Sequence, residues 1–180
     1  MSIHEAKEKR RELDLLLAKF STGEAQAEER LRLAVVAGEL RDAGTINIVL
    51  SLIEDPDEQV RWYAVNSLLK IDRSSSVHIF WDIFEKDPDE DVRSMAIACI
   101  GNSMIGSLDK STFMRLKAAL SRERSPLLKG SVYDSMLMVA AVQPSEWSLS
   151  KVSWRDLDKF EVDWAKVEEL EKKILEENQE

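Results

Sequence analysis

The chain has 180 residues, 44% hydrophobic and 33% charged, with a formal net charge of −9. That mixture is globular rather than disordered and long enough to bury a core. The acidity disfavours nucleic acid, whose phosphates it repels, and favours a basic protein partner. A single cysteine, Cys99, excludes an internal disulfide and fits a reducing compartment.

Taken in chain order, the first segment, MSIHEAKEKRRELD, is densely charged and lacks the apolar centre of a signal peptide, so His4 is expected in a mobile terminus of a cytoplasmic protein. Residues 31–40, LRLAVVAGEL, place Leu31-Arg32 ahead of Val35, Val36 and Leu40 at helical spacing. A short amphipathic helix follows on Ile46, Val49 and Ile53. Then comes the heptapeptide DPDEQVR (55–61), written again as DPDEDVR (87–93), 32 residues later.

Each copy reads as helix, tight turn, helix. Proline lacks an N–H and blocks continuation of the helix before it, and acidic residues suit the positive end of the next one. Asp55 and Asp87 are therefore expected to be N-caps. Val60, Ala64, Leu68 and Ile71 form the apolar stripe after the first copy, and Val92, Ala96 and Ile100 the stripe after the second. Val77, Phe80 and Phe84 supply the short helix between them. Further on, Pro126 separates a helix at 111–121 from one at 127–141. The apolar run LMVAAV (137–142) is too short to span a bilayer, so no membrane association is expected. Helix breaks are predicted near residues 42–45, 55–56, 72–76, 87–88, 104–110 and 122–126.

A unit of this size cannot bury its apolar face alone, so the copies are expected to stack. Asp55-Pro56-x-x-x-Val60-Arg61-x-x-Ala64 and Asp87-Pro88-x-x-x-Val92-Arg93-x-x-Ala96 resemble the HEAT-repeat family, in particular the compact repeats of bilin lyase subunits and small bacterial scaffold proteins. The resemblance is carried by residues 45–103. It implies an all-α fold, a short HEAT-like α-solenoid of antiparallel helix pairs. It also implies that Asp55, Arg61, Asp87 and Arg93 form a structural hydrogen-bond ladder between turns and second helices.

Residues 1–145 are expected to form the repeat array and residues 146–180 a distinct acidic tail, with six basic against eleven acidic residues. Three of the five tryptophans, Trp147, Trp154 and Trp164, lie in that tail. Its last helix should start at Asp163 and bury Val167, Leu170, Ile174 and Leu175. The tail is expected either to cap the array or to act as an arm that binds a partner.

Catalytic equipment is not apparent. His4 and His78 have no partner at metal-ligand spacing, and no phosphate-cradling glycine loop or nucleophile elbow is present. Cys99 sits between Ala98 and Ile100 and reads as a small buried residue. No cofactor, metal or catalytic residue is expected. Opposite the core stripe lie Trp62, Tyr63, Asn66 and Lys70, then Asp91, Ser94 and Met95 in the next copy. Trp and Tyr are enriched at interface hot spots, so these positions, with Trp147 and Trp154, are the candidate partner surface. The expected function is non-enzymatic protein binding by a monomer or weak homodimer. It would resemble an immunity or antitoxin protein that occludes a toxin or enzyme; an adaptor subunit of an enzyme complex is the alternative.

Overall fold

Side chains at the helix starts define the elements. In the computed structural model, which describes residues 2–147 and 159–178, helix α1 spans Ile3–Ser21. The Ser2 hydroxyl accepts from the Glu5 N–H, and the Glu5 carboxylate accepts from the Ser2 N–H. This reciprocal box satisfies two of the amides that a helix start leaves unpaired. His4 therefore stands on an ordered helix, 3.1 Å from Glu8, and not on a loose terminus. The Ser-x-x-Glu spacing was the signal for it.

Eight more helices follow among the described residues: α2 Ala27–Leu40, α3 Ile46–Leu52, α4 Glu58–Ile71, α5 Val77–Lys86, α6 Glu90–Ser103, α7 Lys110–Arg122, α8 Pro126–Val139 and α9 Trp164–Glu177. No strand occurs among them. The breaks fall where the sequence places them. The caps do not. Asp57 and Asp89 are the N-caps of α4 and α6, accepting from Val60 N–H and Val92 N–H respectively, two residues beyond the expected Asp55 and Asp87. The reason lies in the turn: each earlier aspartate accepts the N–H of the later one, at 3.0 Å (Asp55 from Asp57) and 2.9 Å (Asp87 from Asp89). The prolines thus sit in an Asx turn ahead of the helix rather than in its first turn.

The chain divides into two compact units, residues 1–79 and 80–180. In the first, α1 packs on α2, α2 on α4 and α3 on α4. Leu13, Leu33, Val36, Val49, Val60, Val65 and Leu68 fill its core. In the second, α6 packs on α8, α7 on α8 and α9 on α7. Phe80, Val92, Ile97, Phe113, Leu116, Val132 and Met136 are buried there.

Each unit contains one close helix contact of the same design. Gly38 on α2 lies against Ser67 on α4, where an added Cβ would stand 2.5 Å from the serine Oγ. Gly101 on α6 lies against Ser135 on α8, where an added Cβ would stand 2.8 Å from the serine Cα. Only glycine lets the backbones approach this far. The Ser135 hydroxyl donates to the Ile97 carbonyl at 2.9 Å, so the contact is satisfied as well as close.

Helix α9 docks on the second unit through Val167, Leu170 and Ile174, with Leu175 half-buried. Asp163 caps it by accepting from the Lys166 N–H, as its sequence suggests. The Lys173 ammonium donates to the Ala140 carbonyl and the Asn178 amide to the Leu108 carbonyl, fixing both the middle and the end of the helix.

Candidate functional site

Four helix starts repeat one arrangement. Counting from the cap, the fourth residue is Arg30 after Gln26, Arg61 after Asp57, Arg93 after Asp89 and Lys129 after Ser125. The three arginines reach back to their own turns. Arg30 Nη1 donates to Ala25 O at 2.9 Å, Arg61 Nη1 to Asp55 O at 2.9 Å and Arg93 Nη1 to Asp87 O at 2.9 Å. Each bond satisfies a turn carbonyl that has no helical partner.

Arg30, not Arg32, is thus the first-copy equivalent of Arg61. Arg32 instead pairs with Glu12 on α1. The sequence pattern of an apolar residue followed by arginine selects Arg32, because the residue before Arg30 is Glu29. A longer spacing would have found the right register: Arg30 precedes Gly38 by eight residues, and Arg93 precedes Gly101 by the same eight.

Arg30 also clasps the following turn. Its Nε donates to Asp55 Oδ2 at 2.6 Å and its Nη2 to Asp55 Oδ1 at 3.0 Å, a bidentate pair on a buried carboxylate. Burial pushes the Asp55 carboxyl up. The Arg30 fork, the Asp57 N–H and the charges of Arg30 and Arg61 outweigh that and hold it below the ordinary aspartate range.

The aromatic pair lies on α4. Trp62 and Tyr63 meet edge to face with ring centroids 4.9 Å apart. Trp62 is half-buried and Tyr63 is 36% exposed. Asn66 is half-buried and Lys70 exposed. On α6, Asp91 is exposed and Met95 half-buried, whereas the Ser94 hydroxyl lies 2.7 Å from that of Ser131 on α8 and so is not part of an open face. Asp89 and Glu90, beside Asp91, are engaged locally: Asp89 caps α6 and Glu90 accepts from the Ser125 hydroxyl. In the tail, Trp147 is half-buried and its indole N–H donates to the Val142 carbonyl at 3.1 Å. Trp154 lies outside the described residues.

The described residues of the second unit line cavities. One, of about 460 Å³, is lined by Phe84, Glu85, Asp87, Arg93, Arg122 and Glu123. Another, of about 230 Å³, is lined by Tyr133, Leu137, Val142, Glu146, Asp163 and Lys166. Burial, followed by the charges of Asp163, Asp134 and Glu169, pushes the Tyr133 phenol up to about 12. His78 is exposed and Cys99 buried. Among the described residues no group of three or more His, Cys, Asp or Glu side chains is placed to hold a metal ion. None of the described helices is long and apolar enough to cross a membrane.

Comparison with known families agrees with this repeat geometry: the family model for HEAT repeats matches residues 13–101. Those residues are HEAT repeats. The match spans α2 to α6 and the second half of α1, so the Arg30, Arg61 and Arg93 turns all fall inside it. HEAT repeats serve in general as protein-interaction modules. No curated protein and no solved structure matches the chain.

Proposed function

We propose that this chain is a non-enzymatic binding module that engages a protein partner through the outer face of α4. The observation that carries the reading is the Trp62–Tyr63 pair, an edge-to-face aromatic couple left partly open on the second helix of a HEAT repeat. Large amphipathic rings of this kind supply interface area at low entropic cost, and Asn66 and Lys70 add polar contacts further along the same helix. The net charge of −9 favours a basic partner and makes the encounter salt-sensitive. The finer reading is an immunity or antitoxin protein of the cytoplasm that occludes a basic toxin or enzyme. Its support is the combination of acidity and a HEAT-repeat scaffold.

Affinity capture from the native host, with the wild-type chain and Trp62→Ala in parallel, tests the proposal. The partner should be retained by the wild type and lost by the variant. With the partner purified, Trp62→Ala should weaken binding by about 2 kcal/mol, the hot-spot scale, while the melting temperature stays nearly unchanged. A variant that unfolds, or one that binds as tightly as the wild type, removes α4 from the interface. For the finer reading, expression of the chain should protect cells from the toxic product of a neighbouring reading frame.

A further inference from the structure

The arginine that clasps Asp55 in the first unit has a counterpart in the second unit whose clasp is empty. Arg30 and Arg93 occupy the same position after their caps, and both stand eight residues before the glycine of the close helix contact. Both anchor Nη1 on their own turn. In Arg30 the two remaining donors, Nε and Nη2, hold Asp55 in the next turn. The residue corresponding to Asp55 for Arg93 is Glu123, two residues before the Ser125 cap as Asp55 is two residues before Asp57. Glu123 does not reach across. Its longer side chain folds back, and its Oε1 accepts from the Arg124 N–H at 2.8 Å and the Ser125 N–H at 3.1 Å. Arg93 makes hydrogen bonds only through Nη1 among the described residues, and Arg93 and Glu123 both line the cavity of about 460 Å³.

We propose that this cavity is a docking site for an acidic side chain of a partner protein, with Arg93 as the bidentate clasp and Arg122 as a second cation. The chemistry is that of the Arg30–Asp55 pair: a planar guanidinium fork whose tether to the turn leaves Nε and Nη2 as a matched pair of donors for one carboxylate. The acids in the cavity are already engaged. Glu85 pairs with Arg115 at 2.7 Å, Asp87 accepts from the Asp89 N–H, and Glu123 accepts from two backbone amides. Their charge still opposes an anion, so the site selects a carboxylate that can meet the fork squarely over one held only by net charge. The proposal does not depend on Trp62. A partner that is basic overall can carry this one acidic anchor.

The test is a titration of the full chain, followed by NMR of the arginine Nε–H signals, with the blocked peptide acetyl-Gly-Asp-Gly-amide. Arg30 is the internal reference for a filled clasp. The Arg93 signal should shift saturably with the aspartyl peptide and not with its asparaginyl analogue, and Arg122→Gln should weaken the response about fivefold or more. Absence of a saturable shift, or an equal response to the asparaginyl peptide, overturns the proposal. So does an Arg93 Nε–H that is as protected as that of Arg30 before any peptide is added and loses protection in Glu123→Gln, because Glu123 then fills the clasp itself. Sodium acetate binding as tightly as the peptide, at matched ionic strength, would assign the cavity to a free small carboxylate and overturn the partner assignment.

Discussion

The turn that leads into α4 and the turn that leads into α8 occupy equivalent places in their units, yet one is closed and the other open. At α4, a short aspartate two residues before the cap is buried and held by Arg30. At α8, a glutamate in the same place uses its extra methylene to curl onto the amides of its own turn, and Arg93 keeps its fork. The helix contacts beside them are alike, glycine against serine in both units. The scaffold is therefore maintained by backbone approach and apolar burial, and the charged clasp is a separate feature that can be filled within the chain or left for a ligand.

The largest effect expected from breaking this comparison is at the closed turn. Asp55→Ala strands the Arg30 fork and leaves a half-buried cation without its partner, so it should cost about 3 kcal/mol in denaturant unfolding. Glu123→Ala should cost less than about 1 kcal/mol, because it removes only hydrogen bonds to two amides that water can reach. Equal losses would mean that the two turns are not different in kind.

Next in size are the glycines. Gly101→Ala sets a methyl against the Ser135 backbone, which cannot rotate away, and should cost about 2 kcal/mol even after the gain in helix propensity. Gly38→Ala meets the Ser67 hydroxyl and Cβ before its backbone and should cost about half as much, with partial rescue by Ser67→Gly. Thermal unfolding of the four proteins checks the order.

A smaller effect is expected in acid. The Asp55 carboxyl is held below its value in the unfolded chain, so its contribution is fully present above the ordinary aspartate pKa of about 4 and is lost as pH falls through the lower folded value. Asp55→Asn should flatten the dependence of stability on pH in that acid window and leave it unaltered near neutrality. At the other extreme, Tyr133 is pushed up to about 12. Its neutral form is favoured in the fold, so this contribution is intact below about pH 10 and lost as pH rises towards 12. Phenolate absorbance should retain a component that ionises only near the upper limit and that disappears in Tyr133→Phe.

How much of this was legible depends on the kind of interaction. Helix breaks and core positions follow from apolar spacing and proline, and Val60, Ala64 and Leu68 or Val92, Ala96 and Ile100 are buried as their periodicity requires. The reach of Arg61 and Arg93 to their turns was implied by the resemblance of the repeated heptapeptide to HEAT repeats. The caps were displaced by two residues because Asp55 and Asp57 are chemically alike and only the backbone of the turn decides between them. Arg30 was hidden because its register is set by the contact between Gly38 and Ser67 and shows in the sequence only through the eight-residue spacing to that glycine. The α6 ridge was overdrawn for a related reason: Ser94 faces Ser131 on α8, 37 residues away in the chain. Helix α1 announces itself in Ser2 and Glu5, a cap signal obscured by the density of charge around it.

The central claim is that one turn carries a closed clasp and its counterpart an open one, and double-mutant cycles on the two pairs address it most directly. Arg30→Gln and Asp55→Asn, measured singly and together by urea unfolding, should give a coupling free energy of about 2 kcal/mol. Arg93→Gln and Glu123→Gln should give a coupling indistinguishable from zero. A coupling at Arg93 and Glu123 equal to that at Arg30 and Asp55 would contradict the account.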